Sequence, residues 1–326
     1  MTALLPRRRL GSSDLMVSPI GLGCWQFSKG QGISGKYWPI LADDEIEHIV
    51  RVSLEGGVNW FDTAEAYGQG RSERELAAAL KKLGKTSEDV IIATKWMPTL
   101  RSAKSILDTV DTRLENLGGF RIDLFQIHQP TSFSPVKAQM RAMAELIKER
   151  KIRYVGVSNF SARKMAAAHE ALAESGLALV SNQMHYSLLN RQIETDGVLD
   201  EAKKRGISII AYSPLEQGLL TGKFHDHPDS IRKRPGPRKY LSLFRPEGMA
   251  KSRPVVRAVR EIAEKRGVTA AQVALNWIIK FNGDLVVAIP GATKAGQAED
   301  NAGAINFELT REELDRLDAV SARFKK

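Results

Sequence analysis

The stretch Val58-Asn59-Trp60-Phe61-Asp62-Thr63-Ala64-Glu65-Ala66-Tyr67-Gly68 decides how the rest of the chain is read. Val58 to Phe61 is a short apolar run with the length and bounds of a buried strand. It ends in an ionisable residue, Asp62, and Tyr67 follows before a turn-forming glycine. Two further apolar runs end the same way, Val90-Ile91-Ile92-Ala93-Thr94 in Lys95 and Leu124-Phe125-Gln126-Ile127 in His128. If these runs are neighbours in one parallel sheet, Asp62, Tyr67, Lys95 and His128 share its carboxyl edge.

Working outward, the pattern repeats. Residues 7–19 are turn-rich between short apolar pieces and read as a small hairpin. Pro19-Ile20-Gly21-Leu22-Gly23 is a first buried strand, and a Gly-rich aromatic loop over 26–40 follows. Asp43-Asp44-Glu45 opens a helix with acid at its positive dipole end. Strands over 58–61, 90–94, 123–127, 153–157, 179–184 and 207–212 are each followed by a helical segment, over 72–83, 102–117, 135–150, 161–175, 196–205 and 254–266. The last follows a long basic loop. A helix over 269–280, a strand over 285–289 and a helix over 295–304 complete the series. A final helix, 310–322, opens with Thr310 and Glu313 in a capping-box pattern.

The strands are continuous apolar runs, as parallel strands covered by helices must be. Eight strand–helix units in 326 residues, with no linker between them, predict an α/β fold: one (β/α)8 TIM barrel over residues 1–326. It carries an N-terminal β-hairpin over the amino-terminal mouth, an extra C-terminal helix and a long loop after strand seven. Active sites in that architecture lie at the carboxyl ends of the strands. Those ends are Gly23-Cys24-Trp25, Asp62, Lys95, His128, Ser158-Asn159, Gln183, Tyr212-Ser213-Pro214 and Pro290-Gly291-Ala292-Thr293-Lys294. A buried polar group needs a partner, and a ligand can supply one.

Composition narrows the function. With 43% hydrophobic and 26% charged residues, the chain is globular. The net charge is +10, of which +7 falls in residues 223–257. No aromatic ladder accompanies that charge, so it reads as a mobile surface loop that closes over an anionic ligand, not as a nucleic-acid surface. One cysteine, Cys24, excludes an intramolecular disulfide and a multi-cysteine zinc site; it reads as a small buried apolar residue in a cytoplasmic protein. The N-terminal order of charge and apolar residues is the reverse of a signal peptide, and no run approaches the ~20 apolar residues of a membrane span. Gly21-Leu22-Gly23-Cys24-Trp25-Gln26 lacks the third glycine of a dinucleotide fingerprint. His225-Asp226-His227 lacks a third placed metal ligand and reads as solvent-facing.

The chemistry of the first three strand ends is coherent. A tyrosine titrates near pH 10, and a nearby ammonium lowers that value; Lys95 is placed to do this for Tyr67, with Asp62 holding Lys95 charged. His128 can donate to an oxygen developing negative charge. Such a cluster suits protonation of an oxyanion, as in carbonyl reduction, whose hydride must come from a nicotinamide cofactor.

At this point the sequence resembles the aldo-keto reductase superfamily, from Leu10-Gly11 to about Thr310. The matching motifs are Asp62-Thr63-Ala64 with Tyr67-Gly68, Lys95, His128, Gly156-Val157-Ser158-Asn159-Phe160, Tyr212-Ser213-Pro214-Leu215 with Gly218-Leu219-Leu220-Thr221-Gly222-Lys223, and Ile289-Pro290-Gly291. The resemblance implies NADPH as cofactor, a small-molecule carbonyl substrate, and Tyr67 as general acid supported by Asp62, Lys95 and His128. It implies that Ser158, Asn159 and Gln183 hold the nicotinamide carboxamide and that Tyr212 stacks on the ring. Asp62, with Gly23, Cys24 and Trp25 at the first strand end, belongs to the same cofactor surface. The segment with Ser213, Pro214, Leu215, Gln217, Gly218 and Lys223 would wrap the pyrophosphate. Gly291, Thr293 and Lys294 would lie near the adenosine phosphate, and Gln297, Asp300 and Asn301 on one helix face would meet adenine. The chain departs from a common pattern in lacking basic residues directly after the strand-eight proline; Lys294 is the substitute. Trp25, Phe27, Tyr37, Trp38, Gln129 and Phe244 are the expected substrate-loop residues, and Trp96 is packing. A second reading is an NADPH-binding partner protein on the same barrel, like the potassium-channel β subunits.

Overall fold

The computed structural model describes residues 6–233 and 236–326. The chain begins with a hairpin of β1 (Arg8–Arg9) and β2 (Met16–Val17), paired antiparallel. Eight parallel strands follow in chain order: β3 (Leu22–Gly23), β4 (Trp60–Asp62), β5 (Ile91–Trp96), β6 (Ile122–Ile127), β7 (Ile152–Ser158), β8 (Leu179–His185), β9 (Ser208–Tyr212) and β10 (Val286–Ala288). Each is bonded to the next, and parallel bridges Ile20–Ala288 and Gly23–Gly291 join the last to the first, closing the barrel. The strands are almost wholly buried, and all six residues of β6 are. That follows from the continuous apolar runs: one face packs inside the barrel and the other under helices.

The outer layer is α1 (Gly32–Gly35), α2 (Asp43–Glu55), α3 (Arg71–Lys82), α4 (Lys104–Asn116), α5 (Val136–Lys148), α6 (Ala162–Ala173), α7 (Val198–Arg205), α8 (Lys223–Asp226), α9 (Pro246–Arg266), α10 (Ala270–Phe281), α11 (Ala295–Gly303) and α12 (Arg311–Ser321). The last opens as expected: Thr310 accepts from the Glu313 amide, and the Glu313 carboxylate accepts from the Thr310 amide.

Two apolar cores result. The larger lies between strands and helices. The smaller is the barrel interior, where Trp60, Ala93, Leu124, Val180, Ile210, Val287 and Ile289 meet Leu10, Leu15 and Val17 of the hairpin. The hairpin is therefore a plug at the amino-terminal end. Arg8 locks it, its buried guanidinium donating to the carbonyls of Val286 (2.7 Å) and Ile279 (2.5 Å). Gly11 sits at φ +57, with the Val180 carbonyl where a Cβ would stand; no other residue can take that position without moving β8. With the amino-terminal end plugged, the carboxyl end is the open one.

The segment after β9 differs from expectation. The basic stretch is not an extended loop but a chain of short helical pieces, α8 and the 3-10 turns Pro228–Ile231, Gly236–Tyr240 and Ser242–Phe244. Helix α9 starts at Pro246, eight residues before the predicted start at Pro254. Both prolines suit a first helical position; here Pro246 holds that place and Pro254 lies in the helix interior. Arg234 of the basic run, like Met1 to Leu5 of the N-terminal stretch, lies outside the described residues.

Candidate active site

At the carboxyl end the strand termini and their loops surround a cavity of about 930 Å³, within the range of small-molecule and cofactor sites. At its floor, Asp62 and Lys95 form an ion pair, Lys95 Nζ to Asp62 Oδ1 2.5 Å, with both side chains fully buried. The register puts them there: Asp62 pairs with Ala93 across β4 and β5, so Lys95 lies just beyond it. Lys95 also donates to the Thr63 carbonyl (2.8 Å) and stands 3.4 Å from the Tyr67 hydroxyl. The other Asp62 oxygen accepts from Gln126 Nε2 (3.0 Å) and Gln183 Nε2 (2.8 Å). A buried carboxylate so saturated is oriented as well as neutralised. Burial pulls the Lys95 ammonium down, but attraction to Asp62 and Tyr67 outweighs it, and the net shift is upward. Lys95 is a charged group at neutral pH.

Tyr67 corrects one expectation. Lys95 does pull its hydroxyl down, yet burial pushes it up more strongly, with Asp62 adding to the rise, so the phenol titrates above 10. The side chain is held as a protonated phenol, not poised as a phenolate. His128 meets its ring edge-on at 5.6 Å. Burial and the Lys95 charge pull His128 down to about 3, so at neutral pH it is an uncharged imidazole. Its Nδ1 is buried without a partner, a condition a bound ligand can relieve.

The loop bearing Tyr67 is tied to the scaffold by a buried charge network that the sequence did not disclose. Glu65 accepts from the Met97 amide (2.5 Å), Arg101 (2.5 Å) and Arg113. Arg113, on α4, also reaches Glu73 on α3 (2.9 Å), which accepts from Thr94 (2.6 Å) and Asn116 (2.9 Å).

Of the other expected residues, all of the cofactor set but Lys294 line the cavity. Lys294 lies at the N-cap of α11 with an exposed side chain and is not among the lining residues. Lys223 and Lys233 do line the cavity, and so does His227, which is exposed to solvent as expected. His225 instead bonds Ser252 at 3.0 Å. Among the described residues no cluster could hold a metal ion. The Gln183 amide nitrogen donates to Asp62 (2.8 Å) and to Gln126 Oε1 (3.3 Å), so its oxygen is the atom left for a ligand. Ser158 donates to the Gln183 carbonyl (3.0 Å), and Asn159 accepts from the Tyr212 hydroxyl (3.0 Å). Cys24 is wholly buried, and burial holds its thiol well above its usual range.

Trp25, Trp38 and Gln129 line the cavity, joined by Pro39 and Met97. Trp25 stacks on Tyr67 with centroids 5.7 Å apart and contacts Tyr37 and Trp38. Phe27 and Phe244 do not reach the cavity: Phe27 is core, and Phe244 packs edge-on against Phe224. An aromatic residue in a polar loop is as readily a core anchor for that loop as a pocket wall.

A (β/α)8 barrel whose strand ends gather a buried lysine–carboxylate pair beside a tyrosine and an uncharged histidine defines an oxidoreductase site of the carbonyl-reducing kind. The chain belongs to the aldo/keto reductase family, whose sequence model matches residues 19–322. It is 38% identical over 311 residues to an oxidoreductase of Mycobacterium tuberculosis, covering 95% of this chain and 91% of that one. It is 33% identical over 329 residues to the chloroplastic pyridoxal reductase of Arabidopsis thaliana, covering 96% and 86%. Among solved structures, a glycerol dehydrogenase from Gluconobacter oxydans superposes with a TM-score of 0.82 at 28% identity, covering 98% and 96%. No helix among the described residues is long and apolar enough to cross a membrane.

Proposed function

We propose that this enzyme reduces an aldehyde or ketone to the alcohol with NADPH, Tyr67 giving the proton. The observation that carries this reading is the Tyr67 hydroxyl standing 3.4 Å from the Lys95 ammonium, with Asp62 behind it, at the floor of a cavity that continues to α11. The residues fit a nicotinamide dinucleotide. An unsatisfied His128 nitrogen faces no protein partner, Ser158, Asn159 and Gln183 offer amide and hydroxyl groups, and Tyr212 offers a flat face. Farther on, Ser213 to Gly218 offer a turn of backbone, and Gln297, Asp300 and Asn301 offer one helix face. Bound there, the cofactor supplies the hydride.

The protein's own groups do the rest. The substrate carbonyl oxygen lies between the Tyr67 hydroxyl and His128. As negative charge grows on that oxygen, Tyr67 transfers its proton, and the resulting phenolate is stabilised by the Lys95 charge. Asp62 keeps that charge in place through the turnover. His128, uncharged, donates a hydrogen bond without competing as the acid. Trp25, Trp38 and Met97 exclude water and favour an apolar or aromatic carbonyl.

The test is NADPH oxidation with a panel of aldehydes, alongside cofactor dissociation constants. Turnover of aromatic aldehydes above short charged ones is expected, with NADPH bound more tightly than NADH. Tight NADPH binding without turnover of any carbonyl would replace this reading with that of a cofactor-binding partner protein. Because Lys233 lines the cavity and Lys294 does not, Lys294→Met is expected to leave the NADPH/NADH ratio within about twofold, whereas loss of the Lys233 charge should lower it about tenfold, the size of one charge-assisted phosphate contact. A collapse of the ratio in Lys294→Met would restore the phosphate role to that residue.

A further inference from the structure

The turn that follows β9 is an expensive piece of backbone. Ser213 (φ +50), Glu216 (φ +47) and Gln217 (φ +53) are all left-handed without being glycine, a conformation that persists only where the surroundings hold it. Five residues of this turn, Ser213, Pro214, Leu215, Gln217 and Gly218, line the cavity. Glu216 does not; its side chain turns back into the protein and is only 5% exposed.

What receives Glu216 is a group on the neighbouring strand. Ser187 donates to Oε1 (2.5 Å) and His185 Nε2 stands 2.7 Å from the same oxygen. Ser187 and Asn190 exchange backbone hydrogen bonds of 3.0 and 3.1 Å, which makes a firm base. The Asn190 side-chain amide lies 2.7 Å from His185 Nδ1; its nitrogen donates to a neutral ring and, with the amide turned over, its oxygen accepts from a protonated one, so Nε2–H faces Glu216 in both states. The imidazole also stacks on Tyr212, centroids 5.2 Å apart and 17° between planes. One pair of side chains therefore touches both the strained turn and the aromatic ring before it.

We propose that His185 and Glu216 form a latch that holds the Ser213–Gly218 turn and the Tyr212 ring in their ligand-binding arrangement, making both of them positioning residues for the pyrophosphate and the nicotinamide ring of the cofactor. Its ligand half rests on the nicotinamide reading above; its backbone half does not. Nothing in the latch meets the reacting atoms. Its effect is to spend the cost of the turn's conformation before the ligand arrives.

The latch carries a pH dependence of definite sign. Burial pulls the His185 imidazole down, but the bond and charge of Glu216 outweigh it and the net shift is upward. The groups facing the ring are Glu216 from the turn, Tyr212 from β9 and Asn190 from the loop after β8. Tyr212, pushed up to about 12 by burial, stays neutral, and among the described residues Glu216 is the charge acting on the ring. The ion pair is therefore fully formed below the ordinary histidine pKa and is lost as pH rises through the raised one. The turn should be held most firmly in mild acid.

Two readouts test this on the full chain. The first needs no ligand: hydrogen exchange of the 213–222 amides, corrected for intrinsic rate, should speed up about tenfold in Glu216→Gln and in His185→Gln, and severalfold in wild type between pH 6 and 9. The second is the dissociation constant of NADH, chosen over NADPH because it has no 2′-phosphate to titrate in the same range. Glu216→Gln should raise it about tenfold, wild type should weaken severalfold from pH 6 to 9, and His185→Gln should be flat across that range. Unchanged exchange in both variants would overturn the latch. Faster exchange with an unchanged, equally pH-dependent NADH constant would overturn its positioning role. If wild type bound neither NADH nor NADPH, the nicotinamide reading would fall, and the latch would be judged on exchange alone.

Discussion

Tyr67→Phe is expected to lower kcat for aldehyde reduction by about 10²–10⁴, the range for removal of a positioned general acid. The cofactor dissociation constant should stay within about twofold. The change removes one oxygen and keeps the ring, so the stack on Trp25 and the edge contact with His128 persist. The lost group is the hydroxyl beside the Lys95–Asp62 pair, the proton donor of the proposed reaction. The size follows from the alternative donors: His128, pulled down to about 3, is uncharged and a poor acid near neutrality. Residual activity within about tenfold of wild type would mean that His128 or a water carries the proton, and that Tyr67 only shapes the pocket.

The second large effect concerns stability. Arg113→Ala should cost about 3–5 kcal/mol, the range for stripping one partner from a buried ion pair. Arg113 is 7% exposed and touches both Glu65 and Glu73. Burial pushes Glu73 up, and Arg113, Thr94 and Asn116 pull it back; without Arg113 that carboxylate faces its burial cost with two neutral donors. Urea unfolding measures the loss, and the partner variant sharpens it. Glu73→Gln in the Arg113→Ala background should recover part of the deficit, because the uncompensated charge is gone. A loss below about 1 kcal/mol, or strictly additive variants, would show that water reaches the network and that Arg113 is dispensable.

Much of this site could be read from the chain because barrel strands are short and apolar and end abruptly. A charged residue closing such a run has one place to go, and so Asp62, Lys95 and His128 came together as their spacing implied. What escaped reading was pairing between distant elements. Glu65 with Arg113, and His185 with Glu216, stand 48 and 31 residues apart, and in sequence each is an ordinary polar residue of a loop, a helix or a strand end. Burial of the partners against each other, not any local pattern, turns them into structure. The same blindness placed Phe27 and Phe244 in the pocket. Local propensity also misjudged the start of α9, where two prolines equally suit a helix beginning and only packing chooses between them. The rise in Tyr67 arose similarly: neighbouring charges can be guessed from strand order, but the desolvation that outweighs them depends on how Trp25 closes over the ring.

The seam of the barrel bears on how the enzyme is made. The wall between β3 and β10 rests on two parallel bridges, and at Gly23 the Ile289 carbonyl stands 2.8 Å from where a Cβ would be. One side of the cavity comes from residues 23–26, the other from 289–293. Halves so remote in sequence cannot meet until residues 289–293 have left the ribosome, and closing so long a loop is a late, slow contact. Until then Trp60 and its neighbours lack their last inward-facing partners. The barrel interior of a growing chain is thus exposed until its last strand arrives.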